Sequence, residues 1–452
     1  MLLILIGFFF HFFYSVYTEF NVQFDLGFYD AENSEGIAPG HMGYIRYLYQ
    51  NFLPLQSDPR EYWQYYHPPL HHYLEALLLR VQTFLGVDIE IAVYNIKYPP
   101  LLYYMLTIIT MIRITKALKV KGISLIITMA IMLFSPGFLF ISNYANNDML
   151  SIFLMFHCVY LAILWYKDRN VVNILKVALC FGLGMFTKMS VWMSAVPIAI
   201  IFIAVMIEKL KAKEYKSFGR VFGQMWLFLA LAAPFSFYWS IRNYVRFGVP
   251  IGYIPISYDE LQHITVEPLQ RVFDFDPGQL RYPYVCTKEY SDYSEYNPLI
   301  ALLKTSAADI VYTVKDYNSI FYIPSMLLFA MTIILAVGGF VCMICTLFQK
   351  HGLSAVAKIA VAGSFVVLLG SYYIFCFKYP QVCTENIRYA SQLIYIGALS
   401  LGVILKKARR KKGRMAKYIR KGIFACTAAF CLFSFILFAL DGAFVSLFYN
   451  FL

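Results

Sequence analysis

Long apolar runs recur along this chain, near residues 1–18, 91–112, 122–142, 148–166, 171–187, 190–207, 221–241, 320–348, 355–377, 389–405 and 422–440. No soluble core can hide so many, and their lengths approach the ~20 residues that cross a bilayer as a helix. Composition agrees, with 60% of the 452 residues hydrophobic and only 14% charged. Tyr and Phe, 37 and 41 in number, suit the bilayer–water interface and the hydrocarbon beneath it. The first run has no small-residue cleavage site after it, so it is expected to stay as a membrane span. The formal net charge of +12 is expected to face the cytoplasm and anionic lipid, with no nucleic-acid partner.

Charge sets an expected orientation. Arg113, Lys116, Lys119 and Lys121 follow the second run, and Lys167 and Arg169 follow the fourth. Lys209, Lys211, Lys213, Lys216 and Arg220 follow the sixth, and Lys406 to Lys421 follow the tenth. Alternating spans bring all four clusters to one side, the cytoplasmic side by the positive-inside rule. The expectation is a multi-pass cell-membrane protein with a cytoplasmic N-terminus and two large extracytoplasmic loops. Its parts are a first helix at 1–18, an outer loop at 19–90, a bundle at 91–241, a second outer loop at 242–319 and a C-terminal bundle at 320–452. No internal repeat is visible.

The first outer loop has helical signals. Pro69 can open a helix at its first turn. Leu70, Leu74, Leu77, Leu78 and Val81 follow at helical spacing, the pattern of a helix lying in the interface. His41–Gln50 is a second short helix candidate. Asp25, Asp30 and Glu32 lie upstream. A carboxylate at the membrane surface among aromatic rings can act as a general base, can hold a divalent cation with its neighbours, or can be a solvated loop acid. His67, His71 and His72 surround a Pro-Pro turn, and His71 and Glu75 share a helical face. Imidazoles there can bind phosphate, move protons or ligate metal, with Asp25 and His67 the candidate metal ligands; they also suit an interface as amphipathic rings. The chain has no HExxH, so a zinc hydrolase is poorly supported.

Cations on the outer side run against the charge rule and draw a functional reading. Lys188 sits in the turn after the fifth span, Arg242 lies just beyond the seventh, and Arg388 with Tyr389 begins the tenth. Guanidinium and ammonium groups match phosphate oxygens. Asp148, in Asn146-Asn147-Asp148, is either a helix cap or a ligand contact at a helix start. Asp274-Phe275-Asp276 has the DxD pattern of soluble transferases, but lies in a loop with no strand–helix alternation and reads as coincidence. Cys286 and Cys383 both fall in outer loops, where a disulfide can form.

The stretch FDLGFYDAENSEGIAPGHMGYIRYLYQNFLPLQSDPREYWQYYHPPLHHYL, with NNDML, GLGMFTKMSVW, RNYVRFGVP and NIRYA, resembles the GT-C class of membrane glycosyltransferases. It is most similar to bacterial members of the family 39-type group, which includes protein O-mannosyltransferases and the aminoarabinose transferases of lipid A. The resemblance implies an all-α, GT-C-like bundle of about eleven transmembrane helices with interfacial helices in its outer loops. It implies inverting transfer of a hexosyl or pentosyl group from a polyprenyl-phosphate sugar to a lipid, glycan or protein acceptor. By the family's motifs Asp25 is the base. Lys188 and Arg388, with Arg242 beside them, contact the donor phosphate. Asp30, Glu32, His67, His71, His72, Asp148 and Tyr389 are expected around the substrate. No organic cofactor is implied, and a divalent metal is an open choice. The family's acidic pair is here Asp25-Leu26, so its second acid is missing. Two alternatives share the substrate class: a flippase for a lipid-linked sugar, and a surface-polysaccharide polymerase or ligase.

Overall fold

The computed structural model describes residues 2–17, 40–256, 263–285, 295–308, 319–350 and 352–440. In chain order its α-helices are α1 (Leu2–Tyr17), α2 (Gly40–Asn51), α3 (Leu70–Phe84), α4 (Ile89–Tyr94), α5 (Tyr98–Ala117), α6 (Ile123–Leu133), α7 (Pro136–Ile141), α8 (Asp148–Lys167), α9 (Val171–Met185), α10 (Ala195–Lys211), α11 (Tyr215–Phe247), α12 (Pro268–Phe273), α13 (Pro298–Thr305), α14 (Ser319–Phe348), α15 (Ala355–Lys378), α16 (Gln392–Arg410) and α17 (Arg414–Phe435). Among the described residues there is no strand, only an isolated antiparallel bridge between His263 and Gln381. The chain is an all-α, multi-pass membrane protein.

A helix stands at each predicted run. Six stretches are long and apolar enough to cross a membrane: α8, α10 with the 3₁₀ turn before it, α11, α14, α15 and α17 with its π-helical end. Shorter apolar helices are α1, α6 and α9. The run predicted at 122–142 is broken into α6 and α7, because Pro136 cannot continue the preceding ladder and disfavours α geometry at Ser135. The run predicted at 91–112 starts late. Asp88 caps the short α4 through the Glu90 amide at 2.8 Å, and the long helix begins at Tyr98, ahead of Pro99 and Pro100.

The chain divides into two compact units. The first comprises residues 1–22, 115–141 and 256–452. In it α16 packs on α6 and α14, and α14 on α17. Small residues allow close approach, as membrane helices require. A Cβ at Gly339 would fall 2.9 Å from the Gly397 Cα. The Thr128 hydroxyl donates to the Ala398 carbonyl at 3.1 Å. The second unit comprises residues 23–114 and 142–255, with α9 against α8 and α11, and α2 against α3.

The α3 helix turns its polar side inward. His71, His72 and Glu75 are fully buried, while Leu74, Leu77, Val81 and Phe84 are exposed. In water that arrangement is unfavourable; against hydrocarbon it is the expected one.

Candidate functional site

Three elements of the second unit converge near Lys188. Leu70 donates its amide to the Phe186 carbonyl at 3.1 Å, which ties the start of α3 to the end of α9. The Asn147 side chain donates to the Thr187 carbonyl at 3.2 Å, which ties the turn before α8 to the same place. Asn146 accepts from the Asp148 amide at 2.9 Å and starts α8. Gly184 makes the turn close: a Cβ there would lie 2.7 Å from Val191 Cγ1. Lys188 and Asp148 thereby meet as an ion pair, with side chains 12% and 5% exposed. Two charges so withdrawn from water persist only as partners.

The predicted histidines lie beside this pair. His71 faces Asp148, Lys188 and the Ala145 backbone, and its Nδ1 is 3.7 Å from Glu75 Oε1. Burial pushes the His71 imidazole down to about 3 and holds His72 well below its ordinary value. Burial drives Glu75 well above the usual carboxylate range, against a smaller opposing pull from the nearby Tyr103. Both imidazoles are therefore neutral near pH 7, and burial favours the protonated form of Glu75. His72 Nε2 is 2.9 Å from His41 Nδ1. The His41 ring lies 5.2 and 5.6 Å from those of His72 and His67 between centroids, and Tyr44 stacks on His72 at 4.3 Å. The His41 and His72 rings are nearly parallel and meet edge to edge through that nitrogen–nitrogen contact. Among the described residues no group of three His, Cys, Asp or Glu can hold a metal ion.

Arg242 belongs to the same unit. It donates to Asn243 Oδ1 at 2.7 Å and to the Leu55 carbonyl, and its guanidinium lies 4.8 Å over the Trp239 ring. The charge of Arg242 acts on Tyr44 and Tyr73, so it borders the aromatic stack. Trp239 in turn donates to the Tyr66 carbonyl at 3.0 Å.

In the first unit Arg388 and Tyr389 occupy a 3₁₀ turn, Ile387–Tyr389, just before α16. Asn386 caps that turn through the Arg388 amide at 2.9 Å. Arg388 is 4% exposed, and its guanidinium donates to the Tyr389 hydroxyl at 2.7 Å.

The structure thus brings Lys188, Asp148, His71 and His72 together, with His67 and Arg242 bordering their cluster. Asp25, Asp30 and Glu32 lie outside the described residues, as does Cys286; the Sγ of Cys383 is 3.5 Å from Gln381 Oε1. Sequence reading passed over His41 and Tyr103 as site residues. The signal for His41 was its place in GHMGYIRYL, in the first turn of a helix; Tyr103 sits inside an apolar run and carries none.

No protein-family model matches the chain, and no curated protein does. Solved structures do. The oligosaccharyltransferase of Archaeoglobus fulgidus in the apo form covers 97% of this chain and 55% of its own, with TM-score 0.52 and 14% identity. The same organism's oligosaccharyltransferase AglB, in complex with an inhibitory peptide and a dolichol-phosphate, covers 97% and 55%, with TM-score 0.50 and 12% identity. ArnT from Cupriavidus metallidurans covers 90% and 72%, with TM-score 0.48 and 10% identity. The chain spans a little over half the length of the archaeal chains it matches. The fold of this chain is that of the GT-C membrane glycosyltransferases.

Proposed function

We propose that this protein is a membrane glycosyltransferase that moves a sugar from a polyprenyl-phosphate donor to an acceptor at the outer face. The observation that carries this reading is the ion pair of Lys188 and Asp148, held at a turn that the charge pattern puts opposite the basic loops. A buried ammonium paired with a carboxylate can trade that carboxylate for a phosphate oxygen. Archaeal AglB, of the same fold, is captured with a dolichol-phosphate, which is a polyprenyl phosphate.

The reaction asks little of the protein beyond charge and a base. The acceptor oxygen attacks the anomeric carbon from the face opposite the phosphate. The bond from that carbon to the phosphate oxygen breaks, and its electrons stay on the lipid phosphate. Lys188 offsets the growing charge, and Arg242 and Arg388 each offer a guanidinium fork to the same class of oxygen. Asp25 takes the acceptor's proton, the role the family resemblance gives it. The stacked Tyr44 and His72 rings, with His41 and His67 beside them, offer a flat, partly apolar surface to a sugar ring.

The test uses vesicles holding the full chain and undecaprenyl phosphate loaded with labelled mannose or aminoarabinose. Label should move to an acceptor, and Asp25→Asn should abolish that movement at unchanged protein abundance. Intact donor lipid crossing the bilayer would favour a flippase instead. Wild-type turnover in Asp25→Asn removes the base.

A further inference from the structure

A second buried ion pair lies in the first unit. Arg271, on α12 in the second outer loop, pairs with Glu385, and both side chains are wholly buried. Arg271 also donates through Nε to the Tyr296 carbonyl at 3.2 Å and through Nη1 to the Cys376 carbonyl at 3.0 Å. One guanidinium thus joins three segments: the lead into α13, the last turn of α15, and the turn that contains Glu385.

Stability alone is a poor reason for such a pair. Withdrawing two charges from water costs several kcal/mol per ion, and well-packed apolar residues commonly serve as well. What a rigid fork with three acceptors supplies is geometry. The segment it fixes leads straight into the Arg388 turn. Glu385 is followed by the Asn386 cap, then by Ile387, Arg388 and Tyr389. Other contacts fasten the same segment. The Ile387 amide donates to Thr305 Oγ1 on α13 at 2.9 Å. The Ile264 amide donates to the Pro380 carbonyl at 2.8 Å, and Tyr372 donates to the Pro298 carbonyl at 2.8 Å. The Phe375 and Tyr389 rings stand 4.6 Å apart. Residues 264–271 and 296–305 therefore clamp residues 372–389.

We infer that Arg271 and Glu385 are positioning residues that set the aim of Arg388 toward the donor's phosphate. This rests on the phosphate-binding role proposed above for Arg388. An Arg388 free to swing would spend most of its time off target, and the affinity lost is the population lost.

The experiment measures binding of undecaprenyl phosphate to the full chain in lipid nanodiscs, with thermal unfolding of each variant as the control. Arg388→Ala should weaken binding about tenfold, the scale of one charge-assisted contact. Glu385→Gln should weaken it about fivefold, and Glu385→Gln combined with Arg388→Ala should bind no worse than Arg388→Ala alone, the non-additivity of residues acting through one group. Glu385→Gln strands a buried guanidinium and can unfold the clamp. Arg271→Lys serves where it does, since it keeps the charge and drops the fork; it should weaken binding several-fold with no further loss when Arg388 is already Ala. Normal binding by Arg388→Ala overturns its phosphate role and the positioning with it. Weak binding by Arg388→Ala beside normal binding by Arg271→Lys and Glu385→Gln leaves the phosphate role standing and sinks the positioning. Losses that multiply in the double variant also sink it.

Discussion

At the scale of single residues, the molecule treats buried titratable groups in two ways. Lys188 with Asp148, and Arg271 with Glu385, stand as ion pairs. His71 and Glu75 sit 3.7 Å apart, but burial favours the neutral form of each. The second arrangement has a pH signature. For His71 the unfolded imidazole binds a proton below about 6.5, while the folded one resists down to about 3, so stability falls as pH drops through that window. For Glu75 the folded carboxyl keeps its proton above its ordinary value of 4.5, so its contribution is complete below that value and fades as pH rises toward the folded one. Glu75→Gln removes the second effect and leaves the first. In thermal unfolding the variant should match wild type at pH 4 and exceed it at pH 8. A variant less stable than wild type at pH 8 would mean that Glu75 is ionised against a charged His71. The spacing of His71 and Glu75 was legible in the sequence, since four residues along a helix share a face. Their burial was not. An apolar stripe on α3 reads as the inward face only if the outside is water, and here Leu74, Leu77 and Val81 face outward.

Among elements, the helices at the eleven predicted runs were legible because each is a run of apolar residues closed by a cap, a proline or a cluster of charge. Asn170 caps α9 through the Asn173 amide at 2.8 Å, and Ser354 caps α15 through the Ala357 amide at 3.2 Å. Gly248, at φ +66°, ends α11. Which faces meet was not legible. Gly338 and Gly339 stand in an apolar run with no period to mark the contact side. The structure puts Gly339 against the Gly397 backbone, where no side chain can yield. Gly339→Ala should therefore push α14 off α16 and cost about 1–3 kcal/mol, the usual penalty of overpacking. Gly370→Ala on α15 meets nothing within 4 Å and should be neutral. Thermal unfolding of the two variants decides it. Equal stability of both would mean that α14 and α16 do not touch where the glycines stand. Arg271 and Glu385 belong to this scale too. They lie 114 residues apart along the chain, and only the packing of α12, α13 and α15 brings them together.

Across the whole molecule, the motifs behind the family resemblance are shared between the two units. GHMGYIRYL, YWQYYHPPLHH, NNDML, GLGMFTKMSVW and RNYVRFGVP belong to the second, and NIRYA belongs to the first. The connections between helices carry a complementary pattern of charge. The basic clusters stand in and around the connections joining α5 to α6, α8 to α9, α10 to α11 and α16 to α17, whereas Asp148, the first residue of α8, and Lys188 stand at those joining α7 to α8 and α9 to α10. If α6 and α7 make one crossing together, the first set falls on one side and the second set on the other. Anionic lipid and the insertion machinery hold basic loops in the cytoplasm. The proposed transfer depends on that sidedness, because it puts Lys188 and the segment 40–90 outside. Single cysteines in a chain whose native thiols are replaced test it. Asn51, in the first outer loop, and Ala212 and Lys412, in two basic connections, are all exposed. Asn51→Cys should react with a membrane-impermeant maleimide on intact cells. Ala212→Cys and Lys412→Cys should react only after the membrane is opened. The reverse pattern would put the Lys188 turn in the cytosol and defeat a reaction at the outer face. All three cysteines on one side would show that the crossing made by α6 and α7 has been counted wrongly, since that pair stands between Asn51 and the other two; Ala212→Cys and Lys412→Cys on different sides would put the miscount among α11, α14, α15 and α16.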